Sequence, residues 1–368
     1  MLLSIWILLI LLGLLIKSSK KVSFLQAVFI IFMITMNINN PDRNQYYSLY
    51  MRLQSGTTSI FSGNVISNIL FKVFSRFGSY EVALFFVSAL CMFLIYKAII
   101  YFTDQSSFVL SLYLIASFTI DATQIKNFIA LSIWLFFIRF LYLAYASEER
   151  RGVHLALYLL GCLLATGAHF AFAYMFLLAV VVLLRDRNIG IRTVLIGIAI
   201  SLIVFNIDHL FGVFSASNIS FFALATRKLS DYGMAFNQQN MLVRMRRTIE
   251  VFVLMELLLY FCKILSKRRT SAAIEKYLGF LTKIVFLSLF SLSFMKYSLE
   301  IYRIQRNLLI LFYILFAKLN YSAKSKKNLL IVRIEPYTFM GLLLSSIYLV
   351  LDSILGNFEP VFRTLFRI

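Results

Sequence analysis

Long apolar stretches separated by short polar segments, most of them basic, recur from one end of the chain to the other. The apolar runs fall at 2–16, 22–38, 80–101, 108–120, 125–145, 153–168, 170–184, 193–207, 249–265, 277–295, 307–317 and 337–351. A helix rises about 1.5 Å per residue and a bilayer core is about 30 Å thick, so about 20 apolar residues cross it. In lipid, backbone polar groups must be satisfied inside the segment, and the helix does this. The pattern predicts an all-α polytopic membrane protein with about twelve transmembrane helices. No repeat, Gly/Ser linker or low-complexity tract divides the chain, so 1–368 reads as a single integral membrane domain. The first run has neither a basic start nor an A-x-A exit, so it reads as a span rather than a signal peptide.

Lys and Arg in the short connections set the orientation. Lys17, Lys20 and Lys21; Arg150 and Arg151; Arg185, Arg187 and Arg192; Lys267, Arg268 and Arg269; and Lys324, Lys326 and Lys327 fall in alternate loops. These loops are expected in the cytoplasm, with both termini and the two long loops, 39–79 and 208–248, outside. The 13 residues of run 108–120 extend about 20 Å as a helix, which is less than the bilayer core. Run 307–317 is shorter still. Anchored at the cytoplasmic side, such helices end below the outer surface and sink Asp121, Lys126, His169, Arg303 and Arg306 into the outer half of the membrane. Polar groups at that depth need protein or water around them, which predicts a polar vestibule open to the outside.

Composition removes the alternatives. Hydrophobic residues make up 61% of the chain and charged residues 14%, against about 45–50% and 25% in soluble domains. The net charge of +20 sits in short clusters rather than on a continuous surface, which excludes nucleic acid as a partner. The 3 Cys and 3 His are scattered, without metal-ligand spacing, so neither a metal nor a cofactor is expected. There is no Walker loop, GxGxxG or GxSxG, and no outer DxD-like acidic pair. A metal-dependent nucleotide-sugar transferase is therefore disfavoured. The expected inner segments are richer in Lys and the outer ones in Arg. Arg presents a planar fork that matches phosphate in bidentate fashion, so the outer excess points to an anionic ligand there.

Several residue groups could carry chemistry. Asn40-Pro41-Asp42-Arg43 opens the first long loop, with Tyr46 and Tyr50 following on one helical face. Asp42 could take a proton from a sugar hydroxyl, with the tyrosines stacking on sugar rings; equally, Asp42 could be an N-cap and the tyrosines an interface belt. Lys126 and Asn127 open a span just after Asp121; an Asp121–Lys126 pair could close the turn, or Lys126 could meet a phosphate. His169 sits at a hairpin apex among small residues and could serve as base or phosphate donor, or as a structural polar residue. Lys296, Glu300 and Arg303 share a helical stripe and Arg306 lies near it, unpaired, as a candidate for pyrophosphate; the same set could be a self-contained ion network. Arg244, Arg246 and Arg247 are expected at a helix start, where three cations oppose the helix dipole unless an anion is present.

The segments NPDRNQYYSLY, KNFIALSIWLFFIRF, LLATGAHFAFAYMFLL and YRIQRNLLILFYI, in this order, resemble the EpsG family of Wzy-like polymerases of bacterial surface polysaccharide. The resemblance matches Asp42 with Tyr46 and Tyr50, Lys126, His169 and Arg303 to the family pattern; many relatives carry Arg where Lys126 stands. It implies an enzyme of the bacterial cytoplasmic membrane with an extracytoplasmic active face. That enzyme would transfer an oligosaccharide from polyprenyl pyrophosphate onto another lipid-linked repeat unit. Membrane lipids and a chain-length regulator protein are the implied partners. On this reading Arg303, Arg306 and Arg244/Arg246/Arg247 hold pyrophosphate, with Arg43, Lys126, Asn127 and Glu300 nearby. His169 or Asp42 is the base, and Tyr46 and Tyr50 contact sugar. A lipid-linked-oligosaccharide flippase or an O-antigen ligase would bind the same anion.

Overall fold

The computed structural model describes residues 1–187, 197, 238–266, 271–291, 303–324, 336–354 and 359–366. All regular structure among them is helical. The apolar runs become α1 (Leu2–Leu15), α2 (Lys20–Met36), α5 (Tyr80–Phe102), α6 (Ser106–Ile115) with the short α7 (Ser117–Asp121), α8 (Ile125–Ala146) and α9 (Arg151–Ala168). A 3-10 segment, Phe170–Val182, follows. Further on lie α10 (Gln238–Ser266), α11 (Ala272–Ser288), α12 (Arg303–Asn307), α13 (Leu309–Lys324), α14 (Pro336–Ile354) and α15 (Glu359–Phe366). The first long loop folds into α3 (Arg43–Ser55) and α4 (Val65–Phe74). Run 193–207, apart from Gly197, and 208–237 of the second long loop lie outside the described residues.

Among the described residues, 3 helices are long and apolar enough to cross a membrane: Tyr80–Phe102, Ile125–Ala146 and Arg151–Ala168. Leu2–Leu15, Ser106–Ile115, Phe170–Val182 and Pro336–Val350 are apolar but shorter. Large apolar side chains such as Phe85, Phe93, Leu160 and Leu163 are left exposed on α5 and α9, as expected of helices solvated by lipid.

The hydrogen bonds between helices sort their termini into two ends. At one end, Lys17 Nζ donates to Thr338 Oγ1 (2.9 Å) and Lys318 Nζ to the Phe102 carbonyl (2.7 Å). Lys276 Nζ donates there to the Ala146 carbonyl (3.0 Å), and Arg151 and Arg185 both pair with Glu148. At the other end, Asn37 Nδ2 donates to the Ala122 carbonyl (3.1 Å), Thr364 Oγ1 to Asn37 Oδ1 (3.0 Å) and Ser67 Oγ to the Ala168 carbonyl (3.0 Å). The loops holding Lys17, Lys20, Lys21, Arg150 and Arg185 therefore share one end. The Asn37 loop, the Asp121 turn, the His169 apex and α15 share the opposite one.

α6 is the buried axis: Ser106 to Leu114 are all nearly inaccessible. α1 and α2 dock on it through small and polar side chains, since lipid provides no hydrophobic force between helices. Gln26 Nε2 donates to Ser111 Oγ (2.8 Å) and to the Leu9 carbonyl (3.0 Å), while Ser107 Oγ donates to the Ile16 carbonyl (2.5 Å). Gly13 permits this approach; a Cβ there would stand 2.5 Å from the Ser107 carbonyl oxygen.

Candidate active site

The α6–α7 rod breaks at Ala116 (φ −124°, ψ −64°). Carbonyls around the break find side-chain donors from distant elements: Leu114 accepts from Trp6 Nε1 (3.2 Å) and Leu112 from Ser345 Oγ (3.5 Å). The break lets α7 turn so that Asp121 ends it inside the protein rather than at its surface. Asp121 is 1% exposed. Tyr113 donates its hydroxyl to Oδ2 at 2.7 Å, and Asn127 Nδ2 and Arg306 Nη2 approach Oδ1 at 3.4 and 3.5 Å. Arg306 Nη1 also reaches Gln124 Oε1 at 3.4 Å. This corrects two expectations. Asp121 does not close its turn on Lys126, and Arg306 is not unpaired, because α12 delivers it to the buried carboxylate.

The polar character of α12 continues on both sides of Arg306. Gln305 and Asn307 are 1% and 3% exposed. Among the described residues, neither polar atom of the Gln305 amide, nor Asn307 Oδ1, nor Asn127 Oδ1 has a hydrogen-bond partner. Each such atom costs about 1–3 kcal/mol when left unmet in an apolar interior. Tyr113, Gln124, Gln305 and Asn307 were not singled out by sequence reasoning. The polar pentapeptide RIQRN at the head of an apolar run carries the signal for Gln305 and Asn307, whereas no local pattern marks Tyr113 or Gln124.

Lys126, at the start of α8, extends over Tyr46 with Nζ 5.7 Å from the ring centroid. Two candidate residues from separate segments thus come together. Asp42 precedes α3 and lies one turn before Tyr46, yet its side chain makes no cap hydrogen bond. Its backbone is αR (φ −89°, ψ −1°), whereas a capping residue needs extended geometry to reach back to the helix amides. The carboxylate meets no donor among the described residues. Arg43 pairs with Glu81 at 2.7 Å and covers the Tyr80 ring. Tyr50 is 2% exposed, packs edge-on to Tyr80 and donates its hydroxyl to the Gly78 carbonyl. Burial, with Glu81 and Tyr47 nearby, pushes the Tyr50 phenol above its ordinary range. Arg43 and Tyr50 thus fasten the first long loop to α5.

His169 has the extended geometry Asp42 lacks (φ −154°, ψ 120°) and caps the 3-10 segment: Nδ1 accepts from the Ala171 amide at 3.3 Å. A neutral imidazole that accepts at Nδ1 carries its proton on Nε2. In this tautomer Nε2 donates. α4 lies beside the apex, with Ser67 bonded to Ala168 and Ile66 against Gly167, where a Cβ would stand 2.8 Å from Ile66 Cγ1. α12 packs against the 3-10 segment that His169 opens, which brings the first long loop, the His169 apex and the Arg306 helix to one end of the molecule.

Arg303 begins α12; its side chain and Glu300 lie outside the described residues. The side chains of Arg244 and Arg247 do too. Arg246 is exposed and pairs with Glu250 at 2.7 Å. α10 begins at Gln238, so the three arginines sit beyond its first turn, where the dipole has faded. The expected opposition to the dipole does not arise. Among the described residues no group of three or more His, Cys, Asp or Glu could hold a metal ion.

No curated protein and no solved structure matches the chain. A family model described as "EpsG family" matches residues 4–358. Its apolar helices and that match make it an integral membrane protein of polysaccharide biosynthesis: the chain belongs to the EpsG family.

Proposed function

We propose that this chain polymerises a bacterial surface polysaccharide. It transfers a growing oligosaccharide from polyprenyl pyrophosphate onto a hydroxyl of another lipid-linked repeat unit, without a metal, at the outer face of the cytoplasmic membrane. The observation that carries this reading is the buried Asp121–Arg306 centre, set with orphaned amides at the end opposite the Lys-bearing loops. If the basic end faces the cytoplasm, Asp121, Lys126, Arg306 and the His169 apex face outward. The sorting of helix termini supports an even number of crossings, in keeping with about twelve spans. A polar vestibule would then lie between α3–α4, the His169 apex and α12.

In the reaction the anomeric C–O bond to the diphosphate breaks and the acceptor oxygen bonds to the anomeric carbon, inverting it. The leaving diphosphate needs cations in place of a metal. Arg306 and Arg303 supply them, with the Arg244/Arg246/Arg247 group further out. Asp42 is the better base, since its carboxylate is not spent on capping and lies one turn from Tyr46. His169 donates from Nε2 to the anion. Tyr46 is buried beneath Lys126, so its ring seats the Lys126 ammonium for contact with the sugar. A chain-length regulator would act beside this site.

The test is the purified chain in proteoliposomes with lipid-linked repeat units. A ladder of polymer lengths and release of polyprenyl pyrophosphate are expected. Transport of the lipid-linked unit without any glycosidic bond formation would overturn the reading in favour of a flippase.

A further inference from the structure

Arg306 is assigned to a diphosphate, yet its guanidinium already faces an anion. Nη2 stands 3.5 Å from Asp121 Oδ1 and Nη1 3.4 Å from Gln124 Oε1. Both exceed the roughly 2.7–2.9 Å of a well-formed charge-assisted hydrogen bond. Asp121 itself is firmly held, with Tyr113 donating to Oδ2 at 2.7 Å. Both side chains are 1% exposed. A fixed carboxylate facing a loosely held guanidinium makes the arginine the partner that moves.

We propose that Arg306 exchanges Asp121 for the diphosphate of the donor, and that Asp121 takes up a proton as it does so. The identity of the anion rests on the polymerase reading. The groups facing Asp121 leave it no second cation among the described residues. α6 presents the Tyr113 hydroxyl, α5 the Cys91 thiol within electrostatic reach, and α8 the Asn127 amide, while Gln124, just before α8, faces Arg306 instead. A buried carboxylate whose cation turns away is protonated rather than left charged. The proton is given up by the acid form of the solvent buffer and forms an O–H bond on Oδ1, while Arg306 keeps its charge throughout. Asn127 completes the exchange. Its Oδ1 is buried without a partner, and half a turn of the amide brings that oxygen to the new O–H. Release of the diphosphate reverses each step. The empty site is then a neutral ion pair and the loaded site a guanidinium–diphosphate contact beside a neutral acid.

The sign follows from linkage: binding that takes up a proton weakens as pH rises. The probe is farnesyl diphosphate titrated calorimetrically into the detergent-purified full chain at pH 7.5, in buffers of different ionisation enthalpy. Wild type is expected to take up about one proton more per ligand than Asp121→Asn, and Asp121→Asn is expected to bind at least as tightly. Equal proton counts in the two proteins, or failure of the folded wild type to bind the probe, would overturn the exchange. Should Asp121→Asn not fold, wild type decides alone. Its affinity should fall by up to about tenfold per pH unit above neutrality, and a flat or rising profile sinks the idea. A chain that takes up the proton but forms no polymer keeps the exchange and loses the polymerase reading. Polymer formation without Asp121-linked uptake does the reverse.

Discussion

Lys126 Nζ lies 5.7 Å from the centroid of the Tyr46 ring, joining the first turn of α8 to the first turn of α3. A cation over an aromatic face is worth about 0.5–2 kcal/mol. Tyr46→Leu should therefore lower kcat/KM for polymer formation by about 2- to 30-fold, while Tyr46→Phe, which keeps the ring, retains most of it. Equal losses in the two variants would assign the effect to the hydroxyl instead.

His169 and Asp42 should separate by mutation. Asn retains a capping acceptor, so His169→Asn is expected to keep wild-type thermal stability, whereas His169→Ala loses about 1 kcal/mol. Asp42→Asn should fold normally and slow the transfer about 10²–10⁴-fold. The measurement is chain-length distribution normalised to folded protein. A polymerising Asp42→Asn would remove Asp42 as base.

Removing Arg306 leaves Asp121 buried without its cation, so folding must bear the cost of protonating the carboxylate and of the lost packing. Arg306→Ala is expected to lose about 3–5 kcal/mol of stability, read as loss of the monodisperse peak in detergent. The double variant Asp121→Leu with Arg306→Met should recover the folded peak without recovering polymer. Polymer from that variant would take Arg306 out of the site.

Gly13 and Gly152 make a matched comparison. A Cβ at Gly13 meets Ser111 Oγ, Gln26 Nε2 and the Ser107 carbonyl, all within 2.5 Å, while one at Gly152 meets nothing within 4 Å. Gly13→Ala should destabilise the α1–α2–α6 contact by about 1–3 kcal/mol, and Gly152→Ala should leave the melting temperature unchanged or raise it. Equal behaviour would mean that α1 docks elsewhere.

Hydropathy made the helices legible, because a backbone in lipid has few ways to satisfy itself. Runs 80–101, 125–145 and 153–168 reappear as Tyr80–Phe102, Ile125–Ala146 and Arg151–Ala168 with ends shifted by a residue or two. The break at Ala116 was not legible. No Gly or Pro marks it, and the donors that meet its carbonyls, Trp6 and Ser345, belong to α1 and α14. Charge alone named Arg306 as a candidate but could not name its partner, which stands 185 positions earlier. The Asp42 cap failed on a single backbone conformation, and no residue type announces that. Residue types reported which groups are costly to bury, whereas their meeting depends on helices that share no local pattern.

The distance in sequence between Asp121 and Arg306 also has a meaning in time. A ribosome adding about 5–20 residues per second takes roughly 10–40 s to travel from one to the other. During that interval the nascent chain already contains the acid but not its arginine, and Ser345 comes later still. A carboxylate alone in a membrane helix is disfavoured by about 2.5–3.5 kcal/mol, so α6–α7 should enter the bilayer haltingly and lock only when the C-terminal third arrives. The insertion machinery, rather than the finished fold, has to shelter Asp121 until then. Truncations ending before α12 should leave the α6–α7 segment open to protease while α5 and α8 are already protected.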